Sequence, residues 1–267
     1  PGIYKKVLRE SCRIRTCLNQ LSDQTGVDIF EYDSSLFTPV IRSPLRYDLV
    51  TWDDFCQPPF TKNSNINNLD DYLKSAYKYI LNAKKKGAVG LKMVSMPYGI
   101  PSREGALLTL ERIKSGITAP KVEFPNFPDT NPLINYIVDN IIRFAGDQDM
   151  VVAVHTGYWG DFRKLNPLHM IPILERHPKV RFDIYHLGYP WLRETIMLAK
   201  RFPNVWLNLC WTHVISQRFA MAGIDEILDT IPINKVLERI PLRFHSLDCN
   251  YVGSAGYLRK AKTQKTA

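Results

Sequence analysis

The chain has 267 residues, 45% of them hydrophobic and 23% charged, a composition that excludes a disordered polymer and suits one large core. It contains no uninterrupted apolar run of roughly 18 residues, so a membrane-spanning helix is not expected. The net charge of +9 raises an anionic partner such as nucleic acid. No recognition module or aromatic–basic alternation accompanies it, and the charge is read as a basic surface. Five scattered cysteines (Cys12, Cys17, Cys56, Cys210 and Cys249) lack metal-type pairing and suit a reducing, cytoplasmic compartment.

Strand-like apolar runs alternate with helical patterns along the chain, the mark of βα units around a parallel sheet. Strands are expected over residues 14–18 and 37–41, followed by a long Asn-rich loop to residue 68. A helix begins at Leu69, with Tyr72, Leu73, Ala76 and Ile80 on one face, and ends at Lys84-Lys85-Lys86-Gly87. A strand over 88–94 follows, and Arg103 and Glu104 are placed in the loop after it. Asn131-Pro132 opens a second helix as cap and first-turn proline, and Gly146 stops it. The series continues with a strand over 150–155, a helix from Asn166-Pro167 to His177-Pro178, and a strand over 180–186. A helix over 191–201, a strand over 205–210, a helix over 224–230 and a strand from about Lys235 complete it. Seven strands in one series, with no Gly-rich phosphate turn, predict an α/β (β/α)8 TIM-barrel type fold, incomplete by about one unit. The whole chain, 1–267, is read as a single barrel domain.

In such barrels the chemistry sits at the C-terminal ends of the strands. Val151-Val152-Ala153-Val154-His155-Thr156-Gly157 places a histidine there, and Phe182-Asp183-Ile184-Tyr185-His186-Leu187-Gly188 does so on the next strand, with Phe182, Ile184 and His186 assigned to one face. Two imidazoles at adjacent strand ends can converge on one Zn²⁺. Tyr158, Trp159 and Asp161, in the loop after His155, either line a substrate pocket or cap the barrel. Arg103 is a candidate for a substrate carboxylate. Trp206 and Trp211 read as packing residues.

His155-Thr156-Gly157, Asn166-Pro167, His177-Pro178, His186-Leu187-Gly188-Tyr189-Pro190, Phe202-Pro203-Asn204-Val205-Trp206 with Asn208, and Ile231-Pro232-Ile233-Asn234-Lys235-Val236-Leu237 together resemble the amidohydrolase-related branch of the amidohydrolase superfamily. The match is specific over about 88–237. The resemblance implies a (β/α)8 barrel holding one or two divalent metals, with zinc the first choice. It also implies hydrolysis of a C–N or C–O bond in a small molecule, with decarboxylation or isomerisation in some relatives. It makes His155 and His186 metal ligands, and Lys92 either the carbamylated lysine of some members or a lysine serving a substrate anion or the structure.

Two departures accompany the resemblance. The His-x-His that ends the family's first strand occurs nowhere in the chain, which is therefore expected to enter the barrel after that unit. The Gly-Phe-Gly-Gly-Asp-like run of the eighth strand is replaced by Glu238-Arg239-Ile240-Pro241-Leu242-Arg243, a pattern that a local reading-frame slip would produce. Asp248, the sole Asp after Asp229, is then the only substitute for that catalytic Asp, at a spacing unlike the family's. With two secure ligands the chain itself is expected to be a poor catalyst, and a non-catalytic relative that keeps a ligand pocket is the alternative. Neither a nucleic-acid nor a membrane partner is expected, and a homo-oligomer is compatible with the sequence.

Overall fold

A computed structural model describes residues 2–11, 14–20, 32–61, 65–122, 130–158 and 160–236. Among these residues six parallel strands run in sequence order through one sheet: β1 Cys17–Gln20, β2 Phe37–Arg42, β3 Gly90–Val94, β4 Val151–His155, β5 Phe182–Ile184 and β6 Val205–Leu207. Val236 adds a parallel bridge to Leu207, where the seventh expected strand begins. The helices, in chain order, are α1 Ile3–Lys5, α2 Trp52–Cys56, α3 Leu69–Lys85, α4 Arg103–Lys114 and α5 Pro132–Asp147, then α6 Ile171–Arg176, α7 Leu192–Arg201, α8 Thr212–Ile215 and α9 Gln217–Thr230. Among the described residues no helix is long and apolar enough to cross a membrane.

Local chemistry sets these boundaries. Asn68 caps α3 by accepting from the Asp71 amide, and Lys84 and Lys85 close it against the negative end of the helix dipole. Asn131 does more. Its Oδ1 accepts from the amides of Leu133 and Ile134, while its Nδ2 donates to the carbonyls of Leu49 and Pro120. One fully buried amide thereby caps α5 and ties two loops to it. The strands are apolar on both faces, as expected for a sheet buried between helices and barrel interior. Ile41, Leu91, Val152, Val154, Phe182, Ile184 and Val205 are all fully buried.

Several expectations need correction. The first strand covers 17–20, not 14–18, because the Ile14 amide is bonded to the Leu8 carbonyl and strand pairing starts at Cys17 opposite Phe37. The loop after residue 42 contains α2, closed by a capping box between Thr51 and Asp54. Arg103 is not in a loop but opens α4, whose cap is Ser102. The helix expected at 224–230 starts at Gln217. There Ser216 accepts from the Phe219 amide, and Gly223 sits in mid-helix against Leu187 and Leu192. Gly146 lies inside α5, which runs on to Asp147.

The strand expected over 180–186 ends at Ile184. Registers pair Lys92 with Ala153 and Ala153 with Asp183, so the side chains of Lys92, Ala153 and Asp183 share one face of the sheet. His155, two residues beyond Ala153, belongs to that face. Had β5 continued, His186 would point with Phe182 and Ile184 to the opposite face, away from His155. It does not, because His186 (φ 66°) and Leu187 (φ 46°) both adopt left-handed backbone immediately after the strand. This sharp reversal swings the imidazole back over the strand ends.

Candidate functional site

His155 is set by bonds on both sides of its strand end. Its carbonyl accepts from the Ser95 amide at 2.8 Å, and the Ser95 hydroxyl donates to the Asn166 carbonyl. Thr156, fully buried, donates from its hydroxyl to the Tyr185 carbonyl at 2.7 Å, tying the ends of β4 and β5 together. Gly157 follows with φ +70°, and a Cβ there would meet the Tyr189 carbonyl oxygen at 1.9 Å. Only glycine lets the two turns approach this closely. Gly188 is under the same constraint against the Thr195 hydroxyl of α7.

The turn that carries His186 is fastened to β6. The Leu187 amide donates to the Asn208 carbonyl, and the Asn208 amide donates to the Ile184 carbonyl. His186 Nδ1 donates to the Cys210 carbonyl at 2.6 Å. The Trp211 ring lies 6.5 Å from the His186 ring, so this tryptophan packs beside the site rather than remote from it.

The two imidazoles meet edge to face, with His186 Nε2 3.0 Å from His155 Nδ1. His155 Nε2 faces the Tyr158 carbonyl at 2.6 Å. A carbonyl only accepts, so each ring must place its N–H toward its own carbonyl. A neutral imidazole has one N–H. The two remaining lone pairs therefore face each other across 3.0 Å, an unfavourable contact unless a cation shares them. Burial first, and the Lys92 ammonium second, push His155 down to about 4 and His186 to about 3, so both rings are neutral near neutrality, each with a single N–H. Two nitrogens bound to one Zn²⁺ at ~2.0–2.1 Å lie roughly 3 Å apart. The spacing and the fixed tautomers fit a divalent metal. Among the described residues, no group of three or more His, Cys, Asp and Glu side chains converges to hold one.

Behind the histidines lies a polar cluster that sequence reading missed. Asp183, almost fully buried, accepts from Asn208 Nδ2 at 2.9 Å, and Asn208 Oδ1 accepts from the Cys210 amide. Burial pushes the Asp183 carboxyl up to about 7, against the pull of Asn208 and Lys92. Lys92 Nζ stands 3.2 Å from the centroid of the Tyr185 ring, a cation–π contact. An aspartate in the middle of an apolar strand was the available signal. A buried carboxylate needs partners, and strand alternation alone does not name them.

A cavity of about 530 Å³ opens above Lys92 and His155. Arg42 on β2 and Gln20 on β1 line it, with Leu45, Phe60 and Tyr79 as an apolar wall. Tyr158 is exposed and does not line this cavity, and Trp159 lies outside the described residues. Arg103 does not line this cavity, and its guanidinium binds both carboxylate oxygens of Asp70 at the start of α3. Asp248 also lies outside the described residues.

Residues 65–237 match the amidohydrolase family. The chain is 29% identical to protein fluG of Emericella nidulans over 134 residues, 46% of this chain and 15% of that protein. Its fold superposes on a structure from Lactobacillus casei, provisionally described as a metal-dependent hydrolase, with a TM-score of 0.64 and 20% identity over 91% of this chain and 62% of that one. The uronate isomerase of Thermotoga maritima superposes with a TM-score of 0.67 and 14% identity, over 95% and 61% of the two chains. The chain thus spans about three-fifths of the structures it matches and a smaller part of the fungal protein. These likenesses define an α/β fold of the TIM-barrel type. The chain belongs to the amidohydrolase family.

Proposed function

We propose that His155 and His186 supply two imidazole ligands to one divalent metal, Zn²⁺, in a hydrolase acting on a C–N or C–O bond of a small molecule. The observation that carries this reading is the 3.0 Å approach of His186 Nε2 to His155 Nδ1, with the other nitrogen of each ring against a backbone carbonyl. When bound, the metal supplies Lewis acidity and lowers the pKa of a coordinated water. The chain's own residues prepare that site. The Tyr158 and Cys210 carbonyls fix both tautomers, and the neighbouring Lys92 charge disfavours protonation of either ring. Lys92 stands over Tyr185 at the cavity floor, where it holds a substrate anion or, carbamylated, serves the metal. In this reading Tyr158 and Trp159 would border the substrate, and Asp248 would serve as the base for the attacking water. A cytoplasmic setting belongs to the same reading.

A catalytic zinc usually has three protein ligands. The two found among the described residues favour modest affinity and slow turnover, and a binding role without turnover is the second reading. Titration of the purified chain with Co²⁺, followed by its visible d–d bands, tests the metal assignment. One equivalent should bind, and His155→Ala and His186→Ala should each abolish the bands. Co²⁺ spectra unchanged by either substitution would overturn it.

A further inference from the structure

Two tautomers compete at His186. With its hydrogen on Nδ1, the ring donates to the Cys210 carbonyl and presents the Nε2 lone pair toward His155. With its hydrogen on Nε2, the ring would donate to His155 Nδ1, 3.0 Å away, and the two histidines would satisfy each other and close the site to a metal. The Cys210 carbonyl decides between these states, and it lies beyond β6, 24 residues further along the chain. His155 has no such distant dependence, because its Nε2 faces the Tyr158 carbonyl in the turn after its own strand.

Asn208 holds the Cys210 residue in place. Its Oδ1 accepts from the Cys210 amide at 2.8 Å, a bond from an asparagine side chain to the backbone two residues on. A backbone amide can only donate, so this bond fixes which end of the side-chain amide faces Cys210. Nδ2 is left to donate to Asp183 Oδ2 at 2.9 Å. The Asn208 backbone is pinned on either side of the His186 turn, donating to the Ile184 carbonyl at 2.8 Å and accepting from the Leu187 amide at 3.2 Å. Trp211 follows with φ 58° and turns the chain away into α8. Asp183, His186, Asn208 and Cys210 are all buried, so a bond lost among them leaves a polar group unsatisfied.

We infer that Asn208 is a positioning residue for the histidine pair: by clamping Asp183 to Cys210, it holds His186 in the tautomer whose Nε2 is open to a metal. The metal rests on the reading proposed above, whereas the tautomer belongs to the chain alone.

The test uses the full chain, free of metal and isotope-labelled at histidine nitrogen, and reads the ring nitrogens by long-range proton–nitrogen NMR. The His186 signals are assigned by their loss in His186→Gln. In the unaltered chain His186 should carry its hydrogen on Nδ1, and a hydrogen on Nε2 would overturn the inference without any variant. Asn208→Leu, close in shape, should shift His186 toward the Nε2 tautomer and weaken Co²⁺ binding by about tenfold or more, as expected when support for a metal-binding histidine is removed. Asn208→Ala takes its place if the leucine variant does not fold. Exchanging the pair, Asp183→Asn together with Asn208→Asp, keeps an acceptor for the Cys210 amide and a donor between the two side chains. It should restore both the tautomer and the affinity. Asn204→Ala removes two other buried bonds beside β6, to the His177 and Val180 carbonyls, and should cost stability without moving the tautomer. A tautomer unchanged in a folded Asn208 variant, or moved as far by Asn204→Ala, would overturn the positioning role. A tautomer that shifts as expected while Co²⁺ fails to bind even the unaltered chain would overturn the metal reading alone.

Discussion

His155 and His186 differ from ordinary surface histidines because folding disfavours their charged, doubly protonated form. In the unfolded chain each titrates near 6.5, whereas in the fold burial and the Lys92 charge bring them to about 4 and about 3. Between those values and 6.5 the unfolded state binds more protons, so stability rises with pH across that window and is lost as the solution is acidified through it. Asp183 works in the opposite sense. Its folded value of about 7 lies above its unfolded value, so its contribution is present below about 4 and fades as pH rises toward 7. Urea denaturation of the metal-free chain at closely spaced pH values should resolve the two. His186→Gln should flatten the acid side of the profile, and Asp183→Asn should flatten the approach to neutrality. An unchanged acid limb in His186→Gln would show that the ring is protonated in the fold.

At the scale of single elements, α5 depends on one side chain. Asn131→Ala removes the cap of α5 and leaves the Leu49 and Pro120 carbonyls without their amide donor. Cap loss costs about 1 kcal/mol, and abandoned buried acceptors cost about 1–3 kcal/mol more. A stability loss of about 2–4 kcal/mol in chemical denaturation is expected, and a loss under ~0.5 kcal/mol would refute this account. Asn131-Pro132 is also a case where sequence sufficed, because cap chemistry is local. The same is true of α3, whose Asn68, paired acids and terminal lysines all lie within its own span. The apolar runs of β2 to β6 were legible because a sheet covered on both faces leaves little room for polar residues. What escaped was non-local or broke a pattern. The reversal at His186 depends on bonds to Asn208 and Cys210, more than 20 residues away. Gly223 reads as a helix breaker until Leu187 and Leu192 are seen packed against it. The convergence of His155 and His186 was expected from their strand-end positions, although strand alternation assigned His186 to the wrong face.

Over the whole molecule, the site joins segments that are distant in sequence. β3, the turn after β4, the turn after β5 and the residues following β6 each contribute a bond that holds an imidazole or its neighbour. A ligand bound by both histidines therefore stabilises the packing of several βα units at once. By mass action, metal at 100 times its Kd should add about 2.7 kcal/mol to unfolding. Calorimetric melts should show a Tm that rises with added Zn²⁺ and returns with chelator. His155→Ala should remove the response, and a zinc-induced rise retained in that variant would place the ion elsewhere.

The two inward-facing lone pairs also determine which ions compete for the site. Imidazole nitrogen is a borderline-soft donor, poorly matched to Mg²⁺ or Ca²⁺ and well matched to later transition metals. With two such donors and an open coordination sphere, the pair enforces little geometry and should follow the general rise in affinity from Mn²⁺ through Co²⁺ and Ni²⁺ to Cu²⁺, with Zn²⁺ weaker than Cu²⁺. Occupancy is then governed by supply. A chain produced in copper-supplemented medium should carry copper, and one produced with excess zinc should carry zinc.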